Sequence, residues 1–441
     1  MILFPLIILI SKNIYSQNYI KIPFKRTYKE KLTKNNYIDN LLNSELTFNI
    51  SIGNPIQKIP INIKLNKYAI FISSSSIKEP KDIIKYNEKN SSSYEKISNK
   101  INYYSPEQEF SYGIESIDNF YINEKKNLNK KIKFILATSL RKNISGTLGL
   151  DIHLPLGQNL ENINFIKQLK ENNDINSFGF SFYFNEINNY YLIIGAYPNE
   201  YNSNFDINDL KKISVNNDNY HIKWMIKSEN IIYDNKSLTT FKNCFFEPSI
   251  NSIIGTKIYY DNIIFDFFNE YLINNKCKKK IIESTIFDSR SEFLFFYCDK
   301  SINLNKFKNI IFVFNHFNYE LTQNELFELF DNEIYFLVGF KYQNDKIDET
   351  QNWIFGQPFF KKHILIFDQD NKIISFYTKM KKGFSFIMLF LVIFIIILIL
   401  IIISLIFYFY KYIKSFRKIR ANELDDQYEY LPKNNPIELI N

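Results

Sequence analysis

The chain has few of the residues from which common catalytic sites are built. Its 441 residues include only 11 glycines, three cysteines and four histidines, His153, His221, His316 and His363. The glycines form no Gly-x-Gly-x-x-Gly turn, Gly-x-x-x-x-Gly-Lys loop or Gly-x-Ser-x-Gly elbow, so the motifs of dinucleotide, nucleotide and hydrolase-triad sites are missing. The histidines lie far apart, and three cysteines cannot supply the four ligands of a structural zinc site. We therefore expect no metal and no cofactor.

Aromatic residues are abundant, with 43 phenylalanines and 31 tyrosines, and the formal net charge is +8. A nucleic-acid-binding protein would cluster its cations on one face among aromatic residues. Here the lysines are scattered, often beside asparagine or glutamate, so we expect no nucleic-acid partner. The length leaves room for two domains of ordinary size plus terminal segments.

Strand signals dominate the middle of the chain. Short β-branched and aromatic runs alternate with Asn, Asp, Lys and Ser clusters, which predicts an all-β protein; examples are residues 59–63, 190–194, 310–315 and 364–367. Two segments, 160–170 and 261–272, have the apolar spacing of short helices. Residues 79–105, rich in Lys, Asn and Ser, are expected to be an exposed insertion.

Both ends of the chain carry apolar runs. Residues 1–16 are similar to a secretory signal peptide without the usual positive charge, although a buried strand is the alternative. The uncharged run Phe384–Tyr410 has 27 residues, which is long enough for a helix to cross a hydrocarbon core of about 30 Å. We therefore predict that the chain is attached to a membrane through Phe384–Tyr410.

The charges that flank this run predict its orientation. Three lysines, Lys379, Lys381 and Lys382, precede it, whereas five cations follow it. By the positive-inside rule, the tail 411–441 lies in the cytosol and the rest of the chain lies in a lumen or at the cell surface. In that location the Asn-x-Ser sequons are candidate glycosylation sites; they begin at Asn49, Asn90, Asn143 and Asn235.

A series of motifs resembles the pepsin-like aspartic peptidases. Ile52-Gly53-Asn54-Pro55 with Gln57 resembles the family's Ile-Gly-Thr-Pro-x-Gln, and Ser145–Leu150 resembles its Asp-Gly-Ile-Leu-Gly-Leu. Trp353-Ile354-Phe355-Gly356 resembles the closing Trp-Ile-Leu-Gly. Further matches keep the family's order over roughly residues 40–378. The resemblance implies a bilobal all-β fold with a central cleft that holds a peptide or protein ligand.

The resemblance also implies domain limits. After the signal peptide, residues 17–43 correspond to a leader or a propeptide remnant, 44–210 to an N-terminal β lobe and 211–378 to a C-terminal β lobe. Cys277 and Cys298 lie where the family has a disulfide, which suits an oxidising compartment. Cys244 is left over, and we expect it to be an inert buried thiol.

Neither catalytic aspartate of the family is present. The motif frame places Lys64 at the first position and Glu247 at the second, and no Asp-Thr-Gly or Asp-Ser-Gly triplet occurs in the chain. A protonated lysine has no lone pair to accept a proton from water. We therefore predict an inactive pseudopeptidase in which Lys64 and Glu247 form an ion pair. The alternative is an active aspartic-type endopeptidase with a non-standard site.

One element of the family's cleft has a counterpart in the sequence. Phe110–Ser116 resembles the flap, whose tyrosine covers the substrate, so Tyr112 and Gly113 are the candidate flap residues. Glu115 stands where the family has a glycine that permits a tight turn, and this departure counts against the flap assignment. The alternative is an ordinary strand that contains a tyrosine.

Overall fold

Strands dominate the chain from Ile20 to Tyr377, as the alternation of apolar and polar residues predicts. The computed structural model describes residues 19–28, 30–98, 101–102, 110–122, 126–128, 130–152, 161–184, 190–202, 205–215, 224–284, 290–377 and 386–429. It divides the chain into two units, Met1–Met380 and Lys381–Asn441. The predicted signal peptide, residues 1–16, lies outside the described residues.

The first half of the larger unit contains strands β1 (Ile20–Tyr28), β2 (Ser44–Ile52), β3 (Gln57–Lys64), β4 (Ile70–Ser73), β5 (Glu95–Lys96), β6 (Ile101–Asn102), β7 (Phe110–Asp118), β8 (Phe120–Ile122), β9 (Lys126–Asn127), β10 (Ile132–Leu140), β11 (Gly146–Gly149), β12 (Gly179–Phe184), β13 (Tyr190–Ile194) and β14 (Leu210–Ser214). The second half contains β15 (Met225–Lys227), β16 (Asn230–Tyr233), β17 (Lys236–Thr240), β18 (Asn243–Phe246), β19 (Ile253–Gly255), β20 (Cys277–Ser284), β21 (Ser291–Asp299), β22 (Ile310–Phe314), β23 (Phe317–Leu321), β24 (Phe327–Phe330), β25 (Glu333–Phe336), β26 (Val338–Gln343), β27 (Lys346–Ile347), β28 (Trp353–Phe355), β29 (Leu365–Asp368) and β30 (Ile373–Tyr377).

The helices of the larger unit are short. They are α1 (Tyr37–Leu42), α2 (Phe165–Glu171), α3 (Pro198–Tyr201), α4 (Lys257–Ile263), α5 (Asn269–Ile273), α6 (Gln323–Leu326) and α7 (Gln357–Lys362), with 3-10 turns at Glu88–Asn90, Glu161–Ile163, Ile207–Asp209 and Leu304–Lys306. A π-helical segment, Ile264–Phe268, joins α4 to α5. The smaller unit contains one long helix, α8 (Phe386–Glu429).

Both predicted helices are present, each with a local departure. The first is interrupted at Asn164, whose side chain accepts a hydrogen bond from the Lys167 amide and so starts α2 there. The second forms as α4, the π segment and α5, over Lys257–Ile273. The predicted strands are present as β3, β13, β22 and β29, so the all-β class is confirmed.

The strands form three sheets. The largest contains the path β14-β30-β29-β12-β13-β1-β2-β3-β11-β4-β10-β7-β5. The second contains the path β15-β18-β28-β19-β26-β21-β25-β24, and the third has the order β17-β16-β22-β23. Strand β1 joins two parts of the largest sheet because its first half pairs with β13 and its second half pairs with β2.

One arrangement of four strands occurs twice. In the first half, β3 pairs in parallel with β11, β11 pairs antiparallel with β4, and β4 pairs in parallel with β10. In the second half, β18, β28, β19 and β26 follow each other with the same three relations. We call these the first and second four-strand motifs. The first strand of each motif, β3 or β18, leads into one of the two loops that the sequence singled out.

The described part of the segment 79–105 is mostly exposed or half-buried, as the sequence suggested, but two of its residues, Tyr86 and Ser91, are buried. Tyr86 is fully buried, and its hydroxyl hydrogen-bonds to the carboxylate of Asp118, which is itself fully buried. That carboxylate also accepts hydrogen bonds from the hydroxyls of Ser91 (2.9 Å) and Ser93 (2.5 Å). The hydroxyls of Tyr86, Ser91 and Ser93 thus satisfy a buried carboxylate, a role that the polar composition of the segment does not reveal.

Candidate active site

The first loop begins where β3 ends. Lys64 is the last residue of β3 and is half-buried, and it pairs with Gly149 of β11 in the parallel register. The Leu150 amide donates to the Lys64 carbonyl oxygen (2.9 Å), and the Asp151 amide donates to that of Lys67 (2.7 Å). A Cβ at Gly149 would lie 2.5 Å from the Lys67 oxygen. Only glycine therefore allows this loop to pass so close to β11.

The second loop begins where β18 ends. The amide of Glu247 donates to the Phe355 carbonyl oxygen (2.9 Å), and the Gln357 amide donates to that of Ile250 (2.9 Å). A Cβ at Gly356 would lie 2.6 Å from the Ile250 oxygen. The second loop thus passes a glycine in the same way as the first.

The two glycines align the loops residue by residue. A Cβ at Gly149 would meet the carbonyl oxygens of Lys67 and Ala69, and a Cβ at Gly356 would meet those of Ile250 and Ser252. Lys67 therefore corresponds to Ile250. Counting back three residues from each shows that Lys64 in the first motif corresponds to Glu247 in the second. The strand register agrees with this alignment. Lys64 pairs with Gly149, and Phe246 pairs with Phe355, so the next residue, Glu247, falls beside Gly356.

The carboxylate of Glu247 is bound within its own loop. Glu247 is 7% exposed, and its Oε1 accepts hydrogen bonds from the Ser249 hydroxyl (2.5 Å) and the Ser249 amide (3.2 Å). Ser249 stands where the family has a glycine, so the added hydroxyl supplies a donor to the carboxylate. Glu247 is thereby held at a defined position in a buried loop.

The groups at these two positions differ chemically from a pair of aspartates. The family's proton exchange needs two carboxylates that share one proton across a water molecule. Lys64 supplies three donors and no acceptor while it is protonated, and Glu247 is the one carboxylate at the two equivalent positions. The two equivalent positions thus carry one basic and one acidic side chain.

The N-terminal segment holds the second loop in place. The amide of Asn251 donates to the carbonyl oxygen of Leu41 in α1 (2.8 Å), and the Ser44 hydroxyl donates to that of Ser249. Tyr37 and Leu41 of α1 also belong to one apolar cluster with Ile250. Residues 17–43 were expected to be a leader or propeptide remnant, and the described part supplies a sheet strand and contacts to this loop.

A tryptophan from the second half supports the first loop. The indole Nε1 of Trp224 donates to the carbonyl oxygen of Leu150 (2.8 Å), and the Gln369 side-chain amide donates to the same oxygen (3.2 Å). Trp224 is 3% exposed. The sequence identified Trp224 only as the opening of the second lobe, and its role behind the first loop required the tertiary structure.

The candidate flap residues, Tyr112 and Gly113, lie in a strand. Glu115 lies inside β7, where it pairs with Ile135 of β10. Tyr112 and Gly113 also lie in β7 and pair with Asn102 and Ile101 of β6, so the connection between β6 and β7 precedes them. Strand pairing on both sides of β7 accommodates a residue with a Cβ at position 115. Tyr112 is 42% exposed and lies near the start of β7.

The cysteines lie where the resemblance placed them. Cys277 of β20 and Cys298 of β21 face each other in the antiparallel register and form a disulfide, which confirms that prediction. Cys244 is a free, fully buried thiol in β18, and burial raises its pKa well above the ordinary value. Cys244 is therefore protonated and unreactive at neutral pH.

The four sequon asparagines are exposed. Asn49 lies in β2, Asn90 ends a 3-10 turn and Asn235 lies in the tight turn between β16 and β17. Asn143 lies in the connection between β10 and β11. Their modification remains a prediction.

The C-terminal unit contains a candidate membrane span. Within α8, residues Ile393–Ser415 are long and apolar enough to cross a membrane, and none of this stretch is buried in protein. It overlaps most of the predicted run Phe384–Tyr410, whose first two residues fall outside the described part of the chain. A helix of this length and composition is typical of a single membrane crossing.

A comparison with protein families identifies the fold. The family model of the eukaryotic aspartyl proteases matches residues 46–379. A search of curated proteins finds no match. The family match covers more than half of the chain and includes both four-strand motifs and both loops. The chain belongs to the eukaryotic aspartyl protease family.

Proposed function

We propose that this protein is a membrane-anchored pseudopeptidase, which binds peptides or proteins in the family's cleft and does not cleave them. The observation that supports the proposal most strongly is the identity of the residues at the two equivalent loop positions. Lys64 and Glu247 lie at corresponding points of the two four-strand motifs, and only one of them carries a carboxylate.

The backbone contacts of the two loops are present even though neither loop carries the family's aspartate. Gly149 and Gly356 still allow the close backbone approach, and the buried hydrogen bonds to Leu150 and Ile250 hold both loops. A fold that keeps these contacts without the reacting groups is suited to binding. Peptides are the ligands that the family's cleft accommodates, so a peptide or an exposed protein segment is the proposed partner.

The location is proposed from the chain's ends. The candidate span Ile393–Ser415 supports a single crossing, and the greater number of cations after it supports a cytosolic tail. The disulfide supports an oxidising compartment for the rest of the chain. The cleft would then face a lumen or the cell exterior.

Peptide cleavage by the purified full chain in detergent tests the proposal. A diverse peptide mixture is incubated from pH 3 to pH 7 with and without a transition-state analogue of aspartic peptidases, and products are measured by mass spectrometry. We expect no cleavage, together with retention of a subset of peptides on the immobilised protein. A folded state is verified by the disulfide and by tryptophan fluorescence.

The alternative, an active aspartic-type endopeptidase with a non-standard site, gives a different result. Its cleavage would be blocked by the inhibitor and abolished by Glu247→Gln. The matched control is Glu320→Gln, which alters an exposed glutamate of β23. Inhibitor-sensitive cleavage that survives in the control variant and disappears in Glu247→Gln would overturn the pseudopeptidase proposal.

A further inference from the structure

Helix α8 carries separated blocks of opposite charge after its apolar stretch. Five cations occupy residues 411–420, which we call the basic segment; they are Lys411, Lys414, Arg417, Lys418 and Arg420. Four acids follow in residues 423–429, the acidic segment; they are Glu423, Asp425, Asp426 and Glu429. Both segments lie within the continuous helix Phe386–Glu429.

A continuous helix keeps the two blocks apart. The centres of the basic and acidic segments are about ten residues apart, which is about 15 Å along a helix that rises 1.5 Å per residue. This is nearly twice the Debye length of about 8 Å at physiological ionic strength. Arg420 and Glu423, three residues apart, are the nearest opposite charges. Most of the basic charge is therefore not neutralised by the acidic segment.

The basic segment begins at the edge of the candidate span. The span ends at Ser415, so Lys411 and Lys414 fall within its last turn and the other cations follow in the next. The polar headgroup layer is about 5–7 Å thick on each side of the hydrocarbon core. The side chains of Lys411, Lys414 and Arg417 are exposed. These cations are thus at the depth of the headgroups.

We propose that the basic segment binds anionic lipid headgroups in the membrane leaflet where α8 emerges. Polybasic segments directly after a membrane helix attract anionic lipids, and each cation near the surface contributes separately. Tyr412, which is exposed, adds an aromatic group of the kind that anchors helices at this interface. The inference rests on the membrane anchoring proposed above.

Position favours lipid over other anionic partners. A nucleic acid or an acidic protein would need access to cations that emerge directly from the apolar run, where the headgroups already lie. The long aliphatic stems of lysine and arginine can also lie along the apolar boundary while their charges reach the phosphates.

Lipid retention by the full-length protein tests this inference. The chain is placed in nanodiscs of phosphatidylcholine with one-fifth phosphatidylserine, released into detergent, and the co-purified lipids are counted by mass spectrometry. We expect a ratio of phosphatidylserine to phosphatidylcholine about fivefold above that of the nanodisc, and loss of this enrichment when all five cations of the basic segment are changed to Gln. Raising the salt from 50 to 500 mM should reduce the enrichment for the unchanged chain.

The matched control changes Lys379, Lys381 and Lys382, on the other side of the apolar run, to Gln. We expect this variant to keep the enrichment. The inference is overturned if the unchanged chain retains the two lipids in the same ratio as the nanodisc. It is also overturned if neither the five substitutions nor salt changes the retained ratio. Failure of the chain to enter nanodiscs is a separate result that overturns the anchoring itself, and a protein that is anchored without lipid preference contradicts only the lipid inference.

Discussion

The indole of Trp224 is hydrogen-bonded to the carbonyl oxygen of Leu150, and the amide of Leu150 is hydrogen-bonded to the carbonyl oxygen of Lys64. Trp224 belongs to the second half of the larger unit, and Lys64 ends β3, the first strand of the first four-strand motif. The first loop therefore depends on a side chain that lies 160 residues later in the sequence.

Trp224→Phe should destabilise the protein by about 1 kcal/mol more than the same change at Trp353. Trp224 loses a hydrogen bond to Leu150, and a typical buried hydrogen bond contributes about 1 kcal/mol. Trp353 is equally buried, but its indole nitrogen has no hydrogen-bond partner among the described residues. Urea unfolding of the two variants measures the difference. Equal losses would show that the Trp224 hydrogen bond contributes nothing.

Lys64 and Glu247 should be energetically coupled. In a double-mutant cycle with Lys64→Met and Glu247→Gln, we expect a coupling free energy of about 1–3 kcal/mol because the two side chains of the predicted ion pair would interact directly. The control cycle combines Glu247→Gln with Lys58→Met. Lys58 is near the other end of β3, about 20 Å from Lys64 at 3.3 Å per residue. Coupling that is zero in both cycles would contradict the predicted ion pair.

Removal of the disulfide should cost about 3 kcal/mol of unfolding free energy. Cys277 and Cys298 are 21 residues apart, and the loss follows from the greater entropy of the unfolded chain without the closed loop. The double variant Cys277→Ala/Cys298→Ala is compared with the unchanged protein by urea unfolding. Added reductant should destabilise the unchanged protein and leave the double variant as it is. Sensitivity of the double variant to reductant would point to another cause.

Stability should fall as the pH falls from about 6.5 to about 4 because of His363. Burial is the largest cause that lowers the pKa of His363 to about 4, and the nearby charge of Lys362 lowers it further. The hydrogen bond to the Glu320 backbone and the charge of Glu325 raise this pKa by smaller amounts. The ring contacts Tyr319 and Phe359, and its Nε2 atom is buried with no hydrogen-bond partner among the described residues. The folded state keeps His363 neutral while the unfolded state binds a proton, so acid favours unfolding.

The expected size of this effect is about 2 kcal/mol between pH 7 and pH 5, at 1.4 kcal/mol for each pH unit below 6.5. His363→Phe should remove that part of the pH dependence. His316→Gln is the control because His316 is exposed and paired with Glu229 at the surface. Urea unfolding at both pH values measures the slopes. An unchanged slope in His363→Phe would show that another group is responsible.

Glycan attachment should be detectable at the exposed sequons when the protein is made in a secretory pathway. Asn235 lies in a two-residue hairpin turn and Asn143 in a strand connection, both exposed. Treatment with an amidase that removes N-linked glycans should increase the gel mobility of the unchanged chain. A variant with all four sequon asparagines changed to Gln should not shift. No shift in either would contradict a luminal location.

The elements with strong local patterns could be predicted from the sequence. Strand β13 was predicted with its observed limits, and α8 was predicted from its uncharged run, because both depend on the spacing of apolar residues within a short stretch. The place of Glu115 inside β7 and the burial of Tyr86 could not be predicted. Both depend on contacts with distant strands, which the local sequence does not contain.

The sequence by itself determined the all-β class, the apolar run of α8 and the absence of the two aspartates, since these follow from residue identity and spacing. Only the tertiary structure decided which residues meet at the site. Gly149 and Gly356 show that the loops of Lys64 and Glu247 are equivalent, and Trp224 and Leu41 brace those loops from distant parts of the chain. The physical reason is that strand register and backbone hydrogen bonds join residues far apart in sequence, and their partners are chosen by the packing of the whole fold.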